Sequence, residues 1–72
     1  MTLSERLKQL REKSHMKQED IAKGMGIPLR TYCRYEYGER EPVASVLCQM
    51  ADFYGVTIDY LVGRTDTGAT AE

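Results

Sequence analysis

The stretch "GIPLRTYCRYEYG", Gly26 to Gly38, decides how this chain is read. It opens on a glycine and a proline, closes on a glycine, and sets aromatic and arginine residues at helical spacing between them. Gly26 permits backbone angles that other residues resist. Pro28 suits the first position of a helix, where its missing N–H costs nothing. Gly38 is a good terminating residue. A helix is therefore expected from about Pro28 to Tyr37. Advancing about 100° per residue, Pro28, Thr31, Tyr32 and Tyr35 share one face. Arg30, Cys33, Arg34 and Tyr37 share the opposite face, with Leu29 at its edge. The tyrosines read as core or semi-core residues whose hydroxyls can still reach water or a partner. The outer arginines carry planar forks that can pair bidentately with O6 and N7 of guanine in a major groove.

Upstream, the apolar residues recur at three and four rather than alternating, so the chain reads as all-α. Helix 1 is expected over Leu3 to Lys13, with Leu7 and Leu10 on the stripe of Leu3. Thr2 and Glu5 form a Thr-x-x-Glu capping box at its start. Helix 2 is expected over Gln18 to Gly24, with Glu19 and Asp20 in the first turn, where the helix dipole favours negative charge. Met16 and Ile21 stand where a hydrophobic staple would place them if Lys17 is the cap, although lysine is a poor cap. Two short helices joined by a tight glycine-containing turn match a helix-turn-helix.

Downstream, helix 4 is expected from Val43 to Tyr54, burying Val46, Leu47, Met50, Ala51 and Tyr54, and Gly55 ends it. Cys48 reads as a semi-buried small residue. Thr57 can cap a short fifth helix carrying Ile58, Leu61 and Val62, which Gly63 ends. Residues 1–63 are thus expected to form one domain, and the small, polar 64–72 a flexible tail.

Composition excludes several functions. With 72 residues there is one domain at most. Two cysteines and one histidine, in no ligand spacing, leave no metal site, cofactor or disulfide framework to expect. Gly24-Met25-Gly26 follows no strand and precedes no Gly-Lys-Ser/Thr, so it is no phosphate loop. No base–nucleophile arrangement can be named, so the chain is not read as an enzyme. No apolar run is long enough to span a membrane and no signal peptide is visible, so a reducing cytoplasm is expected. No small-molecule pocket is visible in the sequence. Residues 1–40 hold nine Lys/Arg against six Asp/Glu, while 41–72 hold one against five. A basic first half and an acidic second half suggest two faces with two jobs, or ordinary surface scatter.

The stretches "RLKQLREK", "KQEDIAKGMGI", "YCRYEYGEREP" and "LCQMADFYGVTIDYLVGRTD" occur in an order and spacing that resemble the lambda-repressor-like, Cro-type (xenobiotic-response-element) helix-turn-helix regulators. The likeness runs from about Leu3 to Gly63. It implies a compact five-helix DNA-binding domain, often from a phage or mobile element, that inserts helix 3 into the major groove. It places Leu29, Arg30, Cys33 and Arg34 against base edges. It also places Gln18 and Arg40 on the phosphate backbone; Tyr37, at the end of the outer face, is assigned there with them. It implies an ion pair between Arg11 and Glu36 that ties helix 3 to helix 1. Lys17, Pro28 and Val43 depart from the usual helix caps, Gly24 is unusual inside helix 2, and Leu29 and Cys33 replace polar readers.

Phe53, Val56, Ile58, Tyr60 and Val62 are more apolar residues than one short helix needs, and are expected to form a homodimer interface unless they simply close the core. The expected function is a dimeric repressor on a palindromic double-stranded DNA operator. The alternatives are an antitoxin-like or accessory module that binds a protein, with DNA binding secondary or absent. Cys33 reads as a tolerated small thiol or as a redox sensor. His15 is expected in a solvated connection or, as a cation, at the C-terminal end of helix 1.

Overall fold

Five helices follow one another, α1 Leu3–Lys13, α2 Gln18–Met25, α3 Leu29–Glu36, α4 Ala44–Tyr54 and α5 Ile58–Leu61, in a computed structural model that describes residues 1–66. No strand occurs among the described residues. Each helix sends one side chain to the fully enclosed centre: Leu7, Ile21, Tyr32, Met50 and Leu61. Helix α1 packs on α3 and α5, α2 on α3 and α4, and α4 on α5. Met16, Ile27, Leu47 and Phe53 are partly buried around that centre.

The capping box at α1 is formed. The Thr2 hydroxyl accepts from the Glu5 N–H at 3.3 Å, and the Glu5 carboxylate accepts from the Thr2 N–H at 2.9 Å. That backbone hydrogen bond, with a second from the Thr2 hydroxyl, holds the Glu5 carboxyl below its ordinary value.

All five helices stop in the same way. The N–H two residues past the last turn reaches back to an earlier carbonyl, as Glu39 N–H does to Arg34 O at 2.9 Å and Val56 N–H to Ala51 O at 3.0 Å. The residue at the reversal is left-handed, a conformation whose steric penalty glycine escapes because it has no Cβ. Gly26, Gly38, Gly55 and Gly63 fill four of these positions, while α1 turns on His15 at φ 55°. His15 N–H donates to Glu12 O at 3.2 Å and Met16 N–H to Arg11 O at 3.5 Å, so α1 has the full motif without the usual residue. His15 is exposed in this connection.

Some boundaries and environments differ from expectation. Helix α2 runs one residue past Gly24, because its left-handed stop is Gly26. Gly24 is there for packing: a Cβ at that position would run into the Phe53 ring from α4. Pro28 lies just outside α3 as its cap, with ψ 144°, and Val43 likewise precedes α4. Cys48 is exposed rather than semi-buried, since Met50 and Ala51 take the inner face of α4.

Arg6 is the least expected buried residue, at 3% exposure. Its guanidinium lies 3.8 Å from the Tyr60 ring centroid. It donates to Tyr60 O at 3.0 Å, Gln9 Oε1 at 3.0 Å, Thr65 O at 3.4 Å and Asp66 Oδ1 at 3.2 Å. Of the expected tail, residues 64–66 are thus tied to α1 and α5, with Arg64 N–H also donating to Asp59 O at 2.9 Å. Residues 67–72 lie outside the described residues.

Candidate nucleic-acid interface

Helix α3 is anchored from beneath. Tyr32 is fully buried and Tyr35 nearly so. The Tyr32 and Tyr54 hydroxyls are buried close to one another without hydrogen bonds of good geometry. Burial pushes both phenols up, Tyr54 to about 12.

The last residue of α3, Glu36, is buried and gripped by Arg11 of α1. Arg11 Nε donates to Glu36 Oε2 at 3.0 Å and Nη2 to Oε1 at 2.9 Å, a two-pronged pairing. Gln18, the first residue of α2, adds a hydrogen bond from Nε2 to Glu36 Oε1 at 3.2 Å. Burial would push the Glu36 carboxyl up, but the hydrogen bonds and charge of Arg11, with smaller help from Tyr32 and Gln18, outweigh it and hold the group below its ordinary value. Arg11 is correspondingly raised by its bond to Glu36.

Gln18 is engaged at its other end too. Its Oε1 accepts from the Cys33 thiol at 3.6 Å. A hydrogen-bonded chain therefore runs Arg11–Glu36–Gln18–Cys33, linking α1, α3 and α2. Cys33 is half-buried with its thiol turned toward α2.

The outer surface of α3 carries two adjacent rows at four-residue spacing. Arg30 and Arg34 form one, and Leu29, Cys33 and Tyr37 the other. Leu29 is 43% and Tyr37 64% exposed. Arg30, Arg34 and Arg40 are exposed, and none is paired with a carboxylate among the described residues. The other three arginines, Arg6, Arg11 and Arg64, are all paired, with Asp66, Glu36 and Asp59. The arginines left without a carboxylate among the described residues are thus those on α3 and the loop after it.

Beside this surface lies a concavity lined by Lys8, Arg11, Lys17, Gln18, Glu36 and Tyr37. No side chain caps the leading N–H groups of α2, because Lys17 has no acceptor to offer. Lysine in the cap position leaves the positive end of α2 open and adds a charge of the same sign, which suits an anion. Sequence reasoning flagged Lys17 only as a poor cap and passed over Lys8. Their meeting here depends on the crossing of α1 and α2, which spacing along the chain does not reveal.

The residues expected at a dimer surface divide. Val56 and Tyr60 are buried in the chain's own core, while Phe53 and Val62 are half-buried and Ile58 is 41% exposed. No group of histidine, cysteine and acidic residues among the described residues could hold a metal. No described helix is long and apolar enough to cross a membrane.

Two short helices meeting at a left-handed glycine, the second presenting uncommitted arginines outward, define a helix-turn-helix domain. The chain belongs to the helix-turn-helix family HTH_3, which matches residues 7–61. It is 36% identical over 64 residues to the cryptic phage CTXphi transcriptional repressor RstR of Vibrio cholerae, covering 89% of this chain and 58% of that protein. The HTH-type transcriptional regulator AnsR of Bacillus subtilis is 37% identical over 67 residues, covering 93% of this chain and 58% of AnsR. A crystal structure of a transcriptional regulator from Listeria innocua superposes with a TM-score of 0.82 at 27% identity, covering 99% of this chain and 65% of the other. The chain spans a little over half the length of the curated relatives it matches.

Proposed function

We propose that this chain is the DNA-binding part of a transcriptional regulator, acting as a repressor that occupies a double-stranded operator with α3 in the major groove. One observation carries the reading: Arg11 is held by the buried Glu36, Arg6 is buried beside Asp66 and Arg64 pairs with Asp59 at the surface, whereas the three arginines without a carboxylate among the described residues lie on α3 and just after it. Lysine or glutamate would serve a merely solvated face as well as these arginines do. Arg30 and Arg34 read base edges, with Leu29 beside them. Arg40, Tyr37 and Gln18 meet phosphates, together with Lys8, Lys17 and the open start of α2. Cys33, with its thiol engaged by Gln18, contributes to the reading surface mainly by holding that glutamine.

RstR, a repressor by name, favours repression over activation. Two copies joined through Ile58, with Phe53 and Val62 at its margin, would read half-sites about 34–36 Å apart on a palindrome. A cytoplasmic setting fits this work.

Selection from random duplexes, followed by binding over a range of salt, tests the reading. A preferred sequence is expected. Arg30→Ala and Arg34→Ala should each cost about 1–3 kcal/mol on it and relax preference at one position. Arg40→Ala should weaken all sequences alike and flatten the salt slope by about one unit. Equal binding to every duplex, with the arginine variants unchanged, would sink it. Sedimentation of the free protein tests the dimer, and a monomer at high concentration argues against it.

A further inference from the structure

We propose that Leu29 reads the C5-methyl group of a thymine, so that each operator half-site carries a thymine beside the bases read by Arg30 and Arg34. The inference rests on the major-groove reading above and deepens it. Leu29 is the first residue of α3, at the end of a reading helix whose N-terminal residues meet base edges. It is 43% exposed there, although the core has taken Tyr32 and Tyr35 from the same helix.

An exposed leucine alone means little. Its row gives it meaning. The next member, Cys33, could have offered a donor to a base, but its thiol is turned inward to Gln18 Oε1 at 3.6 Å. The N-terminal half of this row therefore presents only apolar surface, directly beside the guanidinium row of Arg30 and Arg34. In the major groove the bases offer one apolar group, the thymine methyl. Opposite any other base, Leu29 would strip water from a hydrogen-bonding edge and return nothing. The residue thus both attracts a methyl and rejects the alternatives.

The test uses the preferred duplex from selection. Each thymine in a half-site is replaced in turn by deoxyuridine, which removes only the methyl. One position is expected to lose roughly three- to fivefold in affinity, the scale of one buried methyl group. In Leu29→Ala the same thymine and deoxyuridine duplexes should bind alike. This variant alters an exposed side chain, and circular dichroism confirms its fold. No deoxyuridine-sensitive position on a duplex that the protein otherwise prefers would overturn the inference while leaving the DNA-reading function intact. A penalty that persists in Leu29→Ala would overturn the role of Leu29. 5-Methylcytosine offers the same methyl, so a third arm places cytosine or 5-methylcytosine at the sensitive position. Tighter binding to 5-methylcytosine than to thymine would overturn the thymine assignment. If no preferred duplex emerges, the underlying reading fails and this inference falls with it.

Discussion

Arg11 and Glu36 are joined by hydrogen bonds of 2.9 to 3.2 Å from both Nε and Nη2, across the contact between α1 and α3. The Glu36 side chain is 3% exposed and that of Arg11 20%. Breaking such a pair from one side leaves a buried charge without its partner, whereas removing both leaves none. Arg11→Met is therefore expected to destabilise by about 3 kcal/mol. Arg11→Met with Glu36→Leu should recover most of that loss. Urea denaturation of the singles and the double measures this. A double variant as unstable as the sum of the singles would show that the two side chains act independently.

The same pair sets the acid limb of stability. The folded-state value of Glu36 lies below the ordinary 4.5. Its contribution is then fully present above the unfolded value and is lost as pH falls through the lower, folded one. Glu5, depressed by its capping bonds, acts in the same direction. Stability should be level from neutral pH down to about pH 5 and decline below that. Glu36→Gln should start lower at neutral pH and decline less steeply in acid. Thermal melts from neutral pH down to about pH 3, through the ordinary glutamate range of about 4.3, compare the two slopes, and parallel curves would exclude Glu36 as their source.

His15 is the one left-handed residue among the described residues that is not glycine. That conformation costs a side-chain-bearing residue about 1–2 kcal/mol, and glycine's extra chain entropy returns roughly half of it. His15→Gly is expected to stabilise by about 0.5–1 kcal/mol, a rise of a few degrees in Tm for a domain this small. His15→Val should lower it. A drop in Tm on His15→Gly would mean that the imidazole makes a contribution beyond its backbone.

Gly24 presents the opposite case. In an open helix Gly→Ala gains about 1 kcal/mol. Here a new Cβ meets the Phe53 ring, so Gly24→Ala should instead destabilise by about 1–3 kcal/mol. Phe53→Leu should relieve part of the damage in the double variant and reveal the helix gain. Differential scanning calorimetry reads both, and a stabilised Gly24→Ala single would show that the ring moves aside freely.

Local signals in the sequence carried far. Thr2 and Glu5 are three residues apart, so their reciprocal bonds could be read from spacing alone. The glycine stops of α3, α4 and α5 were equally legible, because a left-handed reversal restricts residue type more than any other feature here, whereas α2, expected to end at Gly24, stops at Gly26. Gly24 was visible as an anomaly, but its cause lies on α4 in Phe53, 29 positions away. Arg6 gave no signal at all. Its partners Tyr60, Thr65 and Asp66 are reached only through the packing of α1 on α5, and an arginine on a helix reads as solvated by default. Val56 and Tyr60 were visible as apolar, yet nothing local distinguishes a residue that closes its own core from one that meets a second copy. The proposed reading surface was half legible. Helical periodicity placed Arg30 and Arg34 together, but only the packed fold decides which arginines lack a carboxylate among the described residues and that the Cys33 thiol faces inward.

The chain Arg11–Glu36–Gln18–Cys33 has a consequence for the energetics of encounter. Its side chains are already confined to one arrangement in the free protein, so the rotamer entropy of fixing them is incurred during folding and not on contact with a duplex. Arg30 and Arg34 have no such tethers, so in the proposed mode of binding they keep their conformational freedom until a base edge removes it. If they read bases as proposed, the domain presents a stiff frame carrying two searching side chains, and the entropic cost of recognition falls on the residues that choose among sequences.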